Sequence, residues 1–338
     1  MTKTKKILFA LPLLLVVVLS TFLFTACNKA DEKEAILVSN LTELNEAINT
    51  TDDEHIIKLT DDIEMEMDGS TILPVLVYSN EKDLDVEIDL NGHNINTYIR
   101  VQSKNGAIDT EKEYDLTIKN SKNQGGLIGF ENNEFYYGLV VVANNKCEID
   151  LDNVTFKAQY GGIYTNGSYN GQTEIDAEDC KFISTHSNTI VNSKDGGVGA
   201  YLASKNFTYN FEDCYFEGYS AYHTKHGTHN LVNCTMNALG KTYYQPEFYG
   251  NGGSTTGSAL MIESSNDFAP EGNEKSLVVN VKGGNYTSVA GYAIEEASTA
   301  QSGLDADEVC YAQVSITGNP ILNGEGDKTV ISENNLID

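Results

Sequence analysis

The sequence predicts an all-β solenoid, a coil of parallel rungs stacked along one axis, and three observations predict it. The first is a template of apolar, x, apolar, x, then Asn, Asp or Gly, x, x, apolar, as in Ile149-Leu151-Asn153-Phe156; it recurs seven times, with bends at Gly92, Asn153, Asp179, Asp213, Asn233, Gly283 and Gly318. The period-two alternation reads as a strand with one buried face. The bend position admits only the residue types that best tolerate a left-handed backbone. The second is spacing: counting the half-match at Asn120, bend residues lie 20 to 50 apart, so corners are fixed and loops vary, as stacked rungs allow. The third is composition, with 29 Gly, 19 Tyr, no Trp and 5 Pro in 338 residues, which favours sheet and turns.

From the N-terminus, Lys3, Lys5 and Lys6 precede an apolar run, Ile7 to Leu19, that ends in Phe24-Thr25-Ala26-Cys27. This is the order of a secretory signal. The cysteine after a small residue resembles the lipobox of bacterial lipoproteins, with Phe24 where Leu or Val is usual. That resemblance implies cleavage after residue 26, lipidation of Cys27, export, and anchoring to the outer face of the bacterial cell membrane. An uncleaved signal anchor is the alternative, since Ile7 to Ala26 is about long enough to span a bilayer. Residues 27–35 read as a tether, 36–60 as an N-terminal cap and first rung, and 61–338 as the solenoid. In the cap, Asn40 and Glu43 have capping-box spacing, and Leu41, Leu44, Ala47 and Ile48 form one apolar face; a short helix near 41–49 closes the open end. Beyond it, strands such as Val77-Tyr78-Ser79-Asn80, Val142-Ala143-Asn144-Asn145 and Leu202-Ala203-Ser204 precede many of the template units.

On this template the chain, over roughly residues 55–325, resembles the right-handed parallel β-helix proteins of the pectate-lyase-like superfamily. Asp89-Leu90-Asn91-Gly92-His93 is similar to their first-rung sequence. The architecture expected is a right-handed parallel β-helix of eight or nine irregular rungs; the resemblance adds polysaccharide ligands, but not a shared activity. The superfamily's lyases use an Arg or Lys base beside calcium-binding aspartates, and its hydrolases a Gly-His-Gly and an Arg-x-Lys element. Here Arg100 is the single arginine and Gly92-His93-Asn94 the nearest fragment. The expectation is therefore an exported, lipid-anchored, non-catalytic surface protein that binds glycans or other host or cell-surface ligands, or acts as an adhesive spacer. A polysaccharide lyase or glycoside hydrolase is the alternative.

Charge narrows the ligands. The chain carries a formal −27, and its first 26 residues hold three lysines and no acid, so the remainder is near −30. Nucleic acid and anionic lipid are excluded as partners, and acidic polysaccharide is disfavoured unless a cation bridges.

Two constellations stand out. Positions between the apolar pair face solvent, giving an outward ladder of Asp89, Thr117, Asp150, Asp176, Asn210, Asn230, Asn280 and Ser315. On consecutive rungs Glu148 and Asp150 then lie beside Glu174 and Asp176. Such crowding is a solvated acidic face, a hard-cation site, or a carboxyl whose pKa is lifted as general-acid catalysis wants; calcium is the cation that oxygen ligands favour. No cofactor is otherwise implied. The second constellation joins Tyr219, Tyr222, His223, Lys225 and His226 to an insertion at 239–257 with Tyr243, Tyr244, Phe248 and Tyr249, a rim on which a sugar could stack. His229 falls at an inward position and reads as core. Cys180, Cys214 and Cys234 share the position after the bend and read as stacked buried thiols; whether any of Cys147, Cys180, Cys214, Cys234 or Cys310 forms a disulfide stays open.

Overall fold

The computed structural model describes residues 34–50, 55–78, 83–103, 113–130, 137–165, 171–186, 197–244, 248–249, 252–253, 255–264, 277–298 and 312–332; Cys27 and Cys310 lie outside them. The chain is a parallel β-helix. Its described strands fall into long parallel sheets of ten, nine and seven strands, with two short antiparallel ribbons beside them. A typical rung runs from the ten-stranded sheet (Lys146–Asp152) through a bend to the seven-stranded sheet (Thr155–Ala158), then to the nine-stranded sheet (Gly161–Thr165). The strands noted ahead of the template units, Val75–Val77, Tyr137–Val142 and Val198–Leu202, belong to the nine-stranded sheet.

Register follows the apolar alternation. Ile149 pairs with Ile175 and Leu151 with Ala177, then Ala177 with Phe211 and Phe211 with Leu231. Each of these side chains is at most 5 % exposed, so the inward positions of successive rungs merge into one core that no single rung could bury. Phe156, Phe182 and Phe216 continue it along the seven-stranded sheet, with ring centroids 5.5 and 5.1 Å apart.

The bends are left-handed at all seven template positions: φ is 88° at Gly92, 51–54° at Asn153, Asp179, Asp213 and Asn233, and 71–72° at Gly283 and Gly318. The amide of each bend residue from Asn153 to Gly283 donates to the carbonyl of the residue before the next bend, as Asn153 N does to Glu178 O at 3.1 Å. The first bend departs from the template. Ile88 pairs with Ile118 and Glu87 with Thr117, so Glu87 rather than Asp89 takes the outward ladder position. Asp89 is instead 5 % exposed. Its carboxylate accepts from Asn91 N and Ser121 N and lies 3.6 Å from Lys58 Nζ. Burial lifts its pKa, but these donors and Lys58 more than offset that and hold it below the ordinary value.

The helix Leu41–Thr50 buries Leu41, Leu44, Ala47 and Ile48. Asn40 Oδ1 caps Glu43 N at 2.9 Å, and Glu43 Oε2 reaches back to Ser39 N at 2.8 Å, a capping box displaced by one residue. Within the helix, Asn45 Oδ1 accepts from Leu76 N at 2.8 Å, in the strand Val75–Val77 that ends the nine-stranded sheet. Among the described residues, no helix is long and apolar enough to cross a membrane. Cys147, Cys180, Cys214 and Cys234 are buried free thiols, and burial pushes Cys147 and Cys234 up to about 12.

Candidate functional site

Three polar or aromatic features arise from the pleat. On the ten-stranded sheet, Glu148 lies beside Glu174 and Asp150 beside Asp176 in register. Lys146 Nζ sits 3.3 Å from Glu148 Oε1, and Asn210 Nδ2 donates to Glu174 Oε1 at 2.9 Å and Asp176 Oδ1 at 2.6 Å. Asn230 then donates to Asn210, and Asn280 to Asn230, so one amide ladder continues the acidic one. Partial burial, then Asp176, Glu148 and Glu174, raise the Asp150 pKa. Among the described residues no group of three or more His, Cys, Asp or Glu side chains is arranged to hold a metal ion.

The constellation around 219–249 does not form one rim. Tyr222 is fully buried, because its register partners Ala200 and Leu260 belong to the inward row. Its hydroxyl meets His229 Nδ1 at 2.7 Å. His229 is indeed core, bonded also to Thr224 Oγ1 and His226 O, and burial drives its pKa down to about 3. Tyr219, 1 % exposed, donates to Thr242 O at 2.5 Å and contacts the Tyr244 ring. His226 is buried too, its pKa lowered to about 3 by burial and then by Lys205 and Lys225. Tyr243 and Tyr244 are partly exposed. Phe248 and Tyr249 pair with Gly253 and Gly252 in an antiparallel ribbon.

His223 takes an outward position on the nine-stranded sheet and Lys225 follows the end of its strand, Ser220–Thr224, yet both are buried. His223 Nε2 lies 3.0 Å from Glu263 Oε2, and Lys225 Nζ 2.9 Å from Glu263 Oε1. Burial alone would lift the Glu263 pKa; the His223 hydrogen bond and the two neighbouring charges more than offset it, and the carboxyl is held below the ordinary range. On the next strand Glu295 accepts from Thr256 Oγ1 and Ser258 Oγ at 2.5 Å each and from Tyr243 OH at 2.8 Å. Burial raises its pKa against those bonds. Lys328 Nζ sits 5.1 Å from the Tyr243 ring centre. These contacts clasp the insertion onto the sheet and close its outer face at His223, Met261 and Glu295.

Ahead of that clasp the outer face is aromatic. One outward row runs Leu76, Arg100, Val140, Tyr164, Tyr201, His223. Tyr137 and Tyr164 have ring centroids 4.8 Å apart, and Tyr164 and Tyr201 stack at 5.7 Å and 15°; Tyr201 meets His223 edge-on at 5.0 Å. Tyr137, Tyr160, Tyr164, Tyr201 and Phe130 are all partly exposed. Beneath them Val140, Val142, Tyr98 and Ile72, each at most 9 % exposed, form a buried apolar cluster separate from the main core. Burial, then neighbouring phenols, pushes Tyr137 well above its usual range, and burial, then Glu263, raises Tyr201; both hydroxyls stay protonated at neutral pH. Sequence reasoning missed this row. Its signal was an aromatic at the same place in Ile163-Tyr164-Thr165, Ala200-Tyr201-Leu202 and Tyr222-His223-Thr224.

No protein-family model, no curated protein and no solved structure matches this chain.

Proposed function

We propose that this is an exported β-helix protein, anchored to the bacterial surface through lipid on Cys27, that binds glycan on the outer face of the nine-stranded sheet. The likeness of its first rung to the pectate-lyase-like superfamily and of Phe24-Thr25-Ala26-Cys27 to a lipobox support scaffold and anchor. The observation that carries the ligand reading is the group of partly exposed aromatic rings, Phe130, Tyr137, Tyr160, Tyr164 and Tyr201. Monomeric proteins rarely leave such a patch in water without a partner, and phenols combine an apolar body with a polar handle, as sugars demand. Binding of the residue 27–338 chain to immobilised plant and host polysaccharides tests it. Parent binding that is lost in Tyr164→Ala/Tyr201→Ala is expected, and parent binding to none would refute it. In cells, Cys27→Ser should move the protein from the membrane fraction to the medium or supernatant.

A second reading, a polysaccharide-degrading enzyme, draws on His223, whose Nδ1 has no hydrogen-bond partner and whose ring is oriented by Glu263 as a general base would be. Its 1 % exposure favours the clasp over catalysis. Release of reducing ends or unsaturated sugars, abolished by His223→Ala, would establish the enzyme instead.

A further inference from the structure

The aromatic row has a length, a pitch and a charge, and together they select among glycans. We infer that it takes an uncharged, extended glycan chain lying along the solenoid axis, which deepens the glycan reading above and rests on it.

Pitch comes first. Neighbouring strands lie about 4.8 Å apart, and the centroids of Tyr164 and Tyr201, register partners on neighbouring strands of the row, are 5.7 Å apart. A ribbon of equatorially linked pyranoses advances by nearly one strand spacing per sugar, so successive sugars meet equivalent positions. A curling α-linked chain leaves a straight row after a few units.

Ring attitude comes second. Tyr164 and Tyr201, stacked at 15°, turn their faces to one another and their edges to the ligand. Contact is therefore made by protonated hydroxyls and ring edges, while the partly exposed Phe130 ring, packed on the buried Val140, Val142 and Tyr98, offers apolar surface to sugar C–H groups.

Charge comes third. Along the row ahead of the clasp, Leu76, Arg100, Val140, Tyr164 and Tyr201, all partly exposed except the buried Val140, Arg100 is the only charged side chain, and its Nε is bonded to Gln102 Oε1 at 2.6 Å. No carboxylate on that row favours a cationic polymer, and the −27 chain repels an anionic one.

Length comes last. Five positions separated by four strand spacings span about 19 Å, room for about four sugars, and the row stops where His223 is sealed.

The test is calorimetry on the residue 27–338 chain, together with its emission, which is tyrosine emission because the chain has no tryptophan. The probes are β-1,4-linked cello- and xylo-oligosaccharides of two to six sugars, maltohexaose, and oligogalacturonate. Expected are affinity that rises to four or five sugars and then levels, little dependence on salt, and a loss of about tenfold in Tyr164→Ala or Tyr201→Ala. Tyr164→Phe and Tyr201→Phe keep the ring and isolate the hydroxyl, and they serve if the alanine variants melt early. Equal or tighter binding of maltohexaose or oligogalacturonate overturns the inference, as does binding untouched by all four variants. If the parent ignores these probes but binds another glycan surface, this inference fails and the broader reading stands; if it binds no glycan, both fail.

Discussion

At the scale of single residues, the bends and the buried charges make opposite demands. Asp179 sits at φ 53° with its side chain exposed, so its identity matters mainly for backbone conformation. Asp179→Ala should cost about 1–2 kcal/mol in a urea melt, the penalty of a left-handed backbone for an ordinary side chain, and Asp179→Gly much less. This demand was legible, because Asn, Asp and Gly recur at a fixed offset from the apolar pair. The clasp was not: His223, Lys225, Glu263 and Glu295 come from separate segments, and only the strand register joins them. Removing one partner of a buried ion pair leaves the other uncompensated. Glu263→Gln should therefore destabilise by about 3–5 kcal/mol at pH 7. Because the Glu263 carboxyl is held below the ordinary range, its contribution is fully present above about pH 4.5 and is lost as pH falls through the folded value. Denaturant melts from pH 7 to pH 3 should show the gap between parent and variant closing at the acid end.

Among the elements, the ten-stranded sheet and the helix offer separable tests. Asp150 has its pKa raised by partial burial and three neighbouring carboxylates, so its protonated form favours folding at low pH and its charge opposes folding once pH rises past the raised value. Asp150→Asn should raise Tm at pH 7, by less than about 1 kcal/mol of stability given solvent screening, and lose its advantage below the ordinary aspartate range. Millimolar calcium in the same melts checks the cation reading, which requires a rise in the parent that the variant lacks. In the helix, Asn45→Ala removes the acceptor for Leu76 N and should cost about 1–3 kcal/mol, with faster hydrogen exchange at the Leu76 amide. Strand alternation made the acidic register readable in advance. The tyrosine row is harder to read, because polar turn residues, and not the outward side chains, mark the strands before each template unit. Asp89 is misleading for a related reason: two extra residues before the Gly92 bend keep the in-and-out alternation while moving the register by two.

For the molecule as a whole, charge is the term that composition alone supplies. A chain at −27 repels itself, and raising salt from about 0.01 M to about 0.5 M shortens the screening length from about 30 Å to under 10 Å. Tm should rise over that range, most steeply at the low-salt end; a flat response would mean that Lys146–Glu148, Lys119–Glu87 and similar local pairs already neutralise the surface. The stack of parallel sheets was legible because every rung repeats one rule, whereas the long connections obey none. That division bears on inheritance. A single residue inserted within a strand turns its whole inward row outward, but the gain or loss of a complete turn between two bends rejoins equivalent positions on its neighbours. The rung, rather than the residue, is then the unit in which such a gene can lengthen or shorten, and each added rung carries one more place on the outer face where a new side chain can be tried.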